Sequence, residues 1–174
     1  MGNGHIMYGF LPKGDIEGVV RSRHISAALL FAPGRWVREV PYDPNLYFAG
    51  EEASLTVRSF THGYDLYNPD DYVIWHLKYN FPDRKRHWNT FDQDEIDRQS
   101  AVSNVRYKNL MSGTLSDKYG LGVERSIKDW ELYSGVSFVD SVAHEKALTG
   151  YIPDPLTVYN WEEWVEYKRS KNEV

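Results

Sequence analysis

The chain has 174 residues, enough for one domain with a real core and not requiring a second. A formal net charge of −5 and a pI near 5.7 speak against a nucleic-acid partner, because phosphate contacts need clustered Lys and Arg. Cysteine is absent, which removes disulfides, thiolate metal sites and a cysteine nucleophile. No apolar run approaches membrane-spanning length and the N-terminus lacks a signal-peptide core, so no membrane partner and a cytoplasmic location are expected.

In chain order, Met1–Lys13 is Gly-rich and irregular, and Gly14–Arg23 reads as an exposed loop. Ser22–Ala32 reads as a strand entering the core, ended by Pro33-Gly34. Arg35–Val40 is a short helical turn, and Pro41–Phe48 a loop shaped by two prolines and an Asp. Gly50-Glu51-Glu52 then leads into apolar positions at Ala53, Leu55, Val57 and Phe60 with helical spacing. His62-Gly63 stops that helix, since glycine takes the left-handed conformation of a C-cap. Both carboxylates fall in its first turn, where free amides and the dipole favour negative charge. The run Tyr72–Leu77 is β-branched and aromatic, reads as a buried strand, and carries His76 near its end.

Beyond it, Arg84, Lys85, Arg86 and His87 form a dense basic cluster followed by Trp88. Gln93–Leu110 has helical composition, and Asp92-Gln93-Asp94 reads as its start rather than as a metal motif. Met111–Gly122 is glycine-punctuated loop. Ser126 caps a short helix to Tyr133, with Asp129 in the capping-box position and Gly135 ending it. Ser141–Thr149 reads as a helical turn, Pro153 and Pro155 as a spacer, and Asn160–Ser170 as a helix with Trp161, Trp164, Val165 and Lys168 on one face. Aromatic residues make up 15% of the chain, and they suit a core as well as a carbohydrate surface.

Several of these words occur together in order: Glu39–Pro44, Gly50-Glu51-Glu52, Thr61–Asp65, Trp75-His76, Arg86-His87-Trp88, Tyr119–Gly122 and Arg125-Ser126. In that set the chain resembles the protein N-acetylglucosaminyltransferases whose known members modify hydroxyproline. It is also similar in outline to the polypeptide GalNAc-transferases. The resemblance implies an α/β fold, specifically the C-terminal portion of a GT-A glycosyltransferase. That would be an incomplete Rossmann-like nucleotide-binding half in residues 1–92, with a helical extension in residues 93–174.

The implied chemistry is transfer of N-acetylglucosamine from a UDP-sugar to a hydroxyl on a protein acceptor, with retention of configuration. A divalent metal, Mn²⁺ by preference, would offset the diphosphate charge, with His76 as ligand; read from the residues alone, His76 is rather a core histidine hydrogen-bonded beside Trp75. Glu51 and Glu52 would orient sugar and acceptor hydroxyls, or else merely occupy a helix N-terminus. Arg84, Arg86 and His87 would steady the leaving diphosphate, or else form a solvated face. Tyr64 and Trp88 are candidate stacking residues. The family's acidic metal motif lies upstream of the matched words, and nothing before Pro41 supplies it. A separate N-terminal half is therefore an expected partner, and a non-catalytic carbohydrate- or protein-binding remnant is the alternative.

Overall fold

The computed structural model describes residues 18–48, 50–68, 85–86, 89–148 and 160–172. Its elements are β1 (Val20–Arg21), α1 (Gly34–Glu39), α2 (Glu51–Thr61), β2 (Tyr67–Asn68), α3 (Gln93–Met111), α4 (Ile127–Ser134), β3 (Val136–Ser137), β4 (Val142–Ala143), α5 (Glu145–Leu148) and α6 (Trp161–Asn172). β1 pairs antiparallel with β2, Val20 opposite Asn68. β3 pairs antiparallel with β4, Val136 opposite Ala143. This mixture of helices and small sheets is consistent with an α/β fold. Among the described residues, no helix is long and apolar enough to cross a membrane.

The centre is α2, in which every residue from Ala53 to Thr61 is buried. One side packs Ala53, Val57 and Phe60 against Tyr107, Leu110 and Met111 of α3 and Trp130 of α4. Phe60 meets Trp130 edge-on at 5.4 Å and stacks on Tyr133 at 5.3 Å. The other side packs Leu55 against Ile25, Trp36 and Val40. A helix buried all round must satisfy its small polar side chains. Ser59 Oγ accepts the indole N–H of Trp36 (2.9 Å), and Thr56 Oγ1 accepts the amide of Ile25 (2.9 Å).

Local signals set most boundaries. Asp92 caps α3 by accepting the Glu95 amide at 2.8 Å, as a helix start rather than a metal motif requires. Ser126 and Asp129 form the full capping box of α4, and Gly135 ends that helix at φ 67°. Gly63 follows the C-cap of α2 at φ 87°.

Three expectations fail. Gly14–Arg23 is not an exposed loop throughout, since Val20–Arg21 pairs as β1 and Ser22 and Arg23 are buried. Ser22–Ala32 is no strand, since backbone pairing ends with the Ser22 amide on Leu66 O and side chains intercept donors beyond it. The Ser22 hydroxyl takes the His24 amide, Thr56 that of Ile25 and Glu52 that of Ala27. Nor is Ser141–Thr149 a single helical turn. Val142–Ala143 completes a hairpin, Ser141 turns it at φ 55°, and α5 begins only at Glu145. The expected strand Tyr72–Leu77 lies outside the described residues.

Candidate functional site

Five of the seven sequence words singled out above lie on or against α2; Trp75-His76 and most of Arg86-His87-Trp88 fall outside the described residues. At its N-terminus Gly50 stands at φ 101°, and a Cβ there would sit 3.0 Å from the Tyr107 ring. Only glycine therefore lets the chain turn into the helix so close to α3. The two carboxylates that follow differ. Glu52 Oε1 accepts the Ala27 amide at 2.8 Å, whereas Glu51 Oε2 is buried without a hydrogen-bond partner. The Tyr42 phenol is pushed above its ordinary pKa, first by burial and then by the charges of Glu51 and Glu52.

Midway along α2, Arg58 is fully buried and reaches three carbonyls. Its Nη1 donates to Pro41 O (2.6 Å), Nε to Gly120 O (3.3 Å) and Nη2 to Lys118 O (3.4 Å). Burial lowers the Arg58 pKa, with Asp43 and Asp117 opposing that shift. Beside it Arg106 of α3 bonds Asp43, and Asp117 at 2.6 Å. The Tyr119 ring lies under both guanidinium groups, 5.8 Å from Arg58 and 5.2 Å from Arg106. The Pro41–Pro44 turn and the Tyr119–Gly122 loop are thereby fixed to one helix.

The C-terminal end closes the same way. Thr61 O accepts the amides of Glu124 (3.0 Å) and Arg125 (3.2 Å), and Thr61 Oγ1 that of Gly122 (2.9 Å). A Cβ on Gly122 would lie 2.4 Å from Thr61 O, so that loop approaches the helix only as glycine. His62 Nδ1 lies 2.7 Å from the Arg58 carbonyl, which requires a hydrogen on Nδ1. Tyr64 donates its hydroxyl to Glu39 and stacks under Arg35 at 5.5 Å. The hydrogen bond to Glu39 raises its phenol pKa. Asp65 bridges Arg125 (2.8 Å) and Arg21 (3.5 Å).

Of the residues expected at a site, Glu51 and Glu52 share one helical turn with Tyr42 nearby. Tyr64 stands past the other end of α2, about 16 Å away along the axis. Arg86 is half-buried, its carbonyl accepting the Asn89 amide at 2.9 Å and the Thr90 hydroxyl at 3.2 Å. His76, Arg84, His87 and Trp88 lie outside the described residues. Among the described residues no three His, Asp or Glu side chains group to hold a metal, so those residues do not by themselves fit the expected ion. Sequence reasoning passed over Arg58, Asp43, Arg106 and Asp117.

A model of the glycosyltransferase (GlcNAc) family matches residues 10–140, and this span contains every word of the resemblance. The chain belongs to the glycosyltransferase (GlcNAc) family. Comparison with curated proteins and with solved structures yields no match.

Proposed function

We propose that the protein works in transferring N-acetylglucosamine from a UDP-sugar to a protein hydroxyl, with retention of configuration. The family match over residues 10–140 carries this reading. The clustering of family words at both ends of α2 supports it. In this reading Glu51 accepts a hydroxyl of sugar or acceptor, and Glu52, tied to the Ala27 amide, fixes the turn that presents it. Arg84, Arg86 and His87 offset charge on the departing diphosphate, and Tyr64 and Trp88 stack on the substrates. A divalent metal, with His76 among its ligands, supplies further charge neutralisation when bound. The acidic metal pair and uridine pocket come from a further GT-A segment, in the same polypeptide or a separate one.

The test is incubation with UDP-N-acetylglucosamine, Mn²⁺ and acceptor protein, with and without the nucleotide-binding segment of a family member. Mass spectrometry reads the added sugar, and NMR reads its anomeric configuration. The expected outcome is α-linked transfer that depends on the added segment and is lost in His76→Ala. No transfer in any mixture, alongside retained carbohydrate or peptide binding, would establish a binding module instead.

A further inference from the structure

Tyr42 lies between two anchored residues. On one side Pro41 O accepts Arg58 Nη1 at 2.6 Å, and Arg58 is fully buried. On the other, Asp43 is 4% exposed and pairs with Arg106. Its carboxylate also accepts the Asn45 backbone amide at 3.0 Å and the Asn45 side-chain amide at 3.2 Å. Tyr42 itself is 54% exposed, and its hydroxyl has no hydrogen-bond partner among the described residues. Buried bonds thus fix the backbone of an aromatic side chain that the core does not use.

The anchors also place it. Glu51 and Arg58 stand seven residues apart on α2, along one face of the helix. Helical side chains lean toward the N-terminus, so Arg58 draws Pro41 back along that face toward Glu51. On α3, Arg106 holds Asp43, while the ring of the next residue, Tyr107, lies 3.0 Å from where a Cβ on Gly50 would stand. Both loops therefore meet α3 at adjacent residues, which sets Tyr42 beside the first turn of α2. Burial, then the charges of Glu51 and Glu52, raise its phenol pKa, so the hydroxyl keeps its proton and remains a donor.

A carboxylate pair accepts hydrogen bonds and cannot donate one. It can take sugar hydroxyls, but not the carbonyl of the acetamido group by which N-acetylglucosamine differs from glucose. That oxygen needs a donor, and Tyr42 holds an unengaged one at this place. We propose that Tyr42 is a specificity-determining residue of the sugar site, donating its hydroxyl to the acetamido carbonyl of N-acetylglucosamine beside the carboxylates that take the sugar's hydroxyls. This assignment rests on the transferase reading above.

The full chain, without nucleotide or metal, is titrated with the methyl α-glycosides of N-acetylglucosamine and of glucose, and NMR reads both dissociation constants. Expected is tighter binding of the acetamido sugar by about tenfold, falling to about twofold or less in Tyr42→Phe at an unchanged melting temperature. Tyr67→Phe, equally exposed on β2, keeps the wild-type ratio. A wild type that binds neither sugar, or a ratio unchanged in Tyr42→Phe, overturns the assignment. So does a ratio that Tyr67→Phe lowers as much. A preference that Tyr42→Phe abolishes, without sugar transfer in the preceding assay, removes the transferase reading and keeps the sugar site. Transfer from UDP-N-acetylglucosamine with the preference intact in Tyr42→Phe does the reverse.

Discussion

Trp164 of α6 donates its indole N–H to Glu131 Oε2 of α4 at 2.8 Å, with both side chains buried. Lys168 reaches the same oxygen at 3.0 Å and Asp140 at 2.6 Å, while the Ser137 hydroxyl holds Glu131 Oε1 at 2.7 Å. Burial opposes the charge on Asp140, yet the bonds from Lys168 and Ser137 outweigh it and hold that carboxyl below its usual pKa. The helix beyond the family-matched span is thus fastened to the span's last helix by one buried carboxylate.

Breaking that fastening is predicted to cost stability unequally from its two sides. Glu131→Ala strands the buried Trp164 indole N–H and leaves Lys168 with Asp140 as its remaining carboxylate, a loss of about 3 kcal/mol or more. Trp164→Phe keeps much of the apolar contact and loses one bond to a charged group, about 1.5–3 kcal/mol. Urea unfolding of both variants and their double mutant checks this. Additive losses would show that the two residues are not coupled.

Arg58 is predicted to be irreplaceable even by lysine. Three carbonyls from two loops converge on its planar fork, and an ammonium on a flexible stem cannot span them. Arg58→Lys should destabilise by about 2 kcal/mol or more and Arg58→Ala by more still. Thermal melts measure the loss, and limited proteolysis should show new cleavage in the loop at residues 117–122. A wild-type melt for Arg58→Lys would mean that the loops stand without it.

What was readable in the sequence follows the distance over which each signal acts. The Ser126–Asp129 capping box, the Asp92 cap and the Gly63 stop depend on neighbours a few residues away, and each appears where expected. Strands of two residues, as in Val136–Ser137 and Val142–Ala143, are too short to show a period of two. The Ser22–Ala32 stretch looked like a strand because its apolar residues are contiguous, but only the fold tells that Leu29–Phe31 face solvent. At the site, both glutamates could be placed on the first turn of α2. Their difference could not, since it arises from Ala27, 25 residues away in sequence. The Arg58 cluster was hidden for the same reason, its loop carbonyl at Gly120 lying 62 residues away.

Stability is predicted to fall with acid because of His24. Burial, helped by the Arg23 charge, lowers its imidazole pKa to about 3, while the ring rests edge-on against Trp130 at 5.7 Å. In the unfolded chain the same group titrates near about 6.5. Between these values the unfolded state binds a proton that the folded state refuses. Stability is therefore complete above the unfolded value and erodes as pH falls toward about 3, by up to about 1.4 kcal/mol per pH unit. Asp117, Asp129 and Asp140, all with lowered values, act in the same direction, but only from the ordinary aspartate value of 3.8 downward. Melting temperatures at pH 7.5 and 5.5 should differ in the wild type and converge in His24→Phe. An equal slope in both would assign the acid sensitivity elsewhere.

The two glutamates of α2 are predicted to separate stability from activity. Glu52 binds the Ala27 amide, so Glu52→Ala releases the loop that carries Leu29–Phe31 and costs about 1 kcal/mol. Glu51 Oε2 has no hydrogen-bond partner among the described residues, and its charge is repelled by that of Glu52. Glu51→Gln loses a favourable helix-dipole term and also relieves that repulsion, so the net change should stay within about 0.5 kcal/mol. If Glu51 positions a reacting hydroxyl, the same variant should lower sugar transfer in the complemented assay by about tenfold or more, because a neutral amide orients a hydroxyl less strongly. Thermal unfolding and transfer rates on the two variants decide it. Full transfer by Glu51→Gln would remove Glu51 from the chemistry. A large stability loss in that variant would instead make its carboxylate a structural group whose partner lies in the protein.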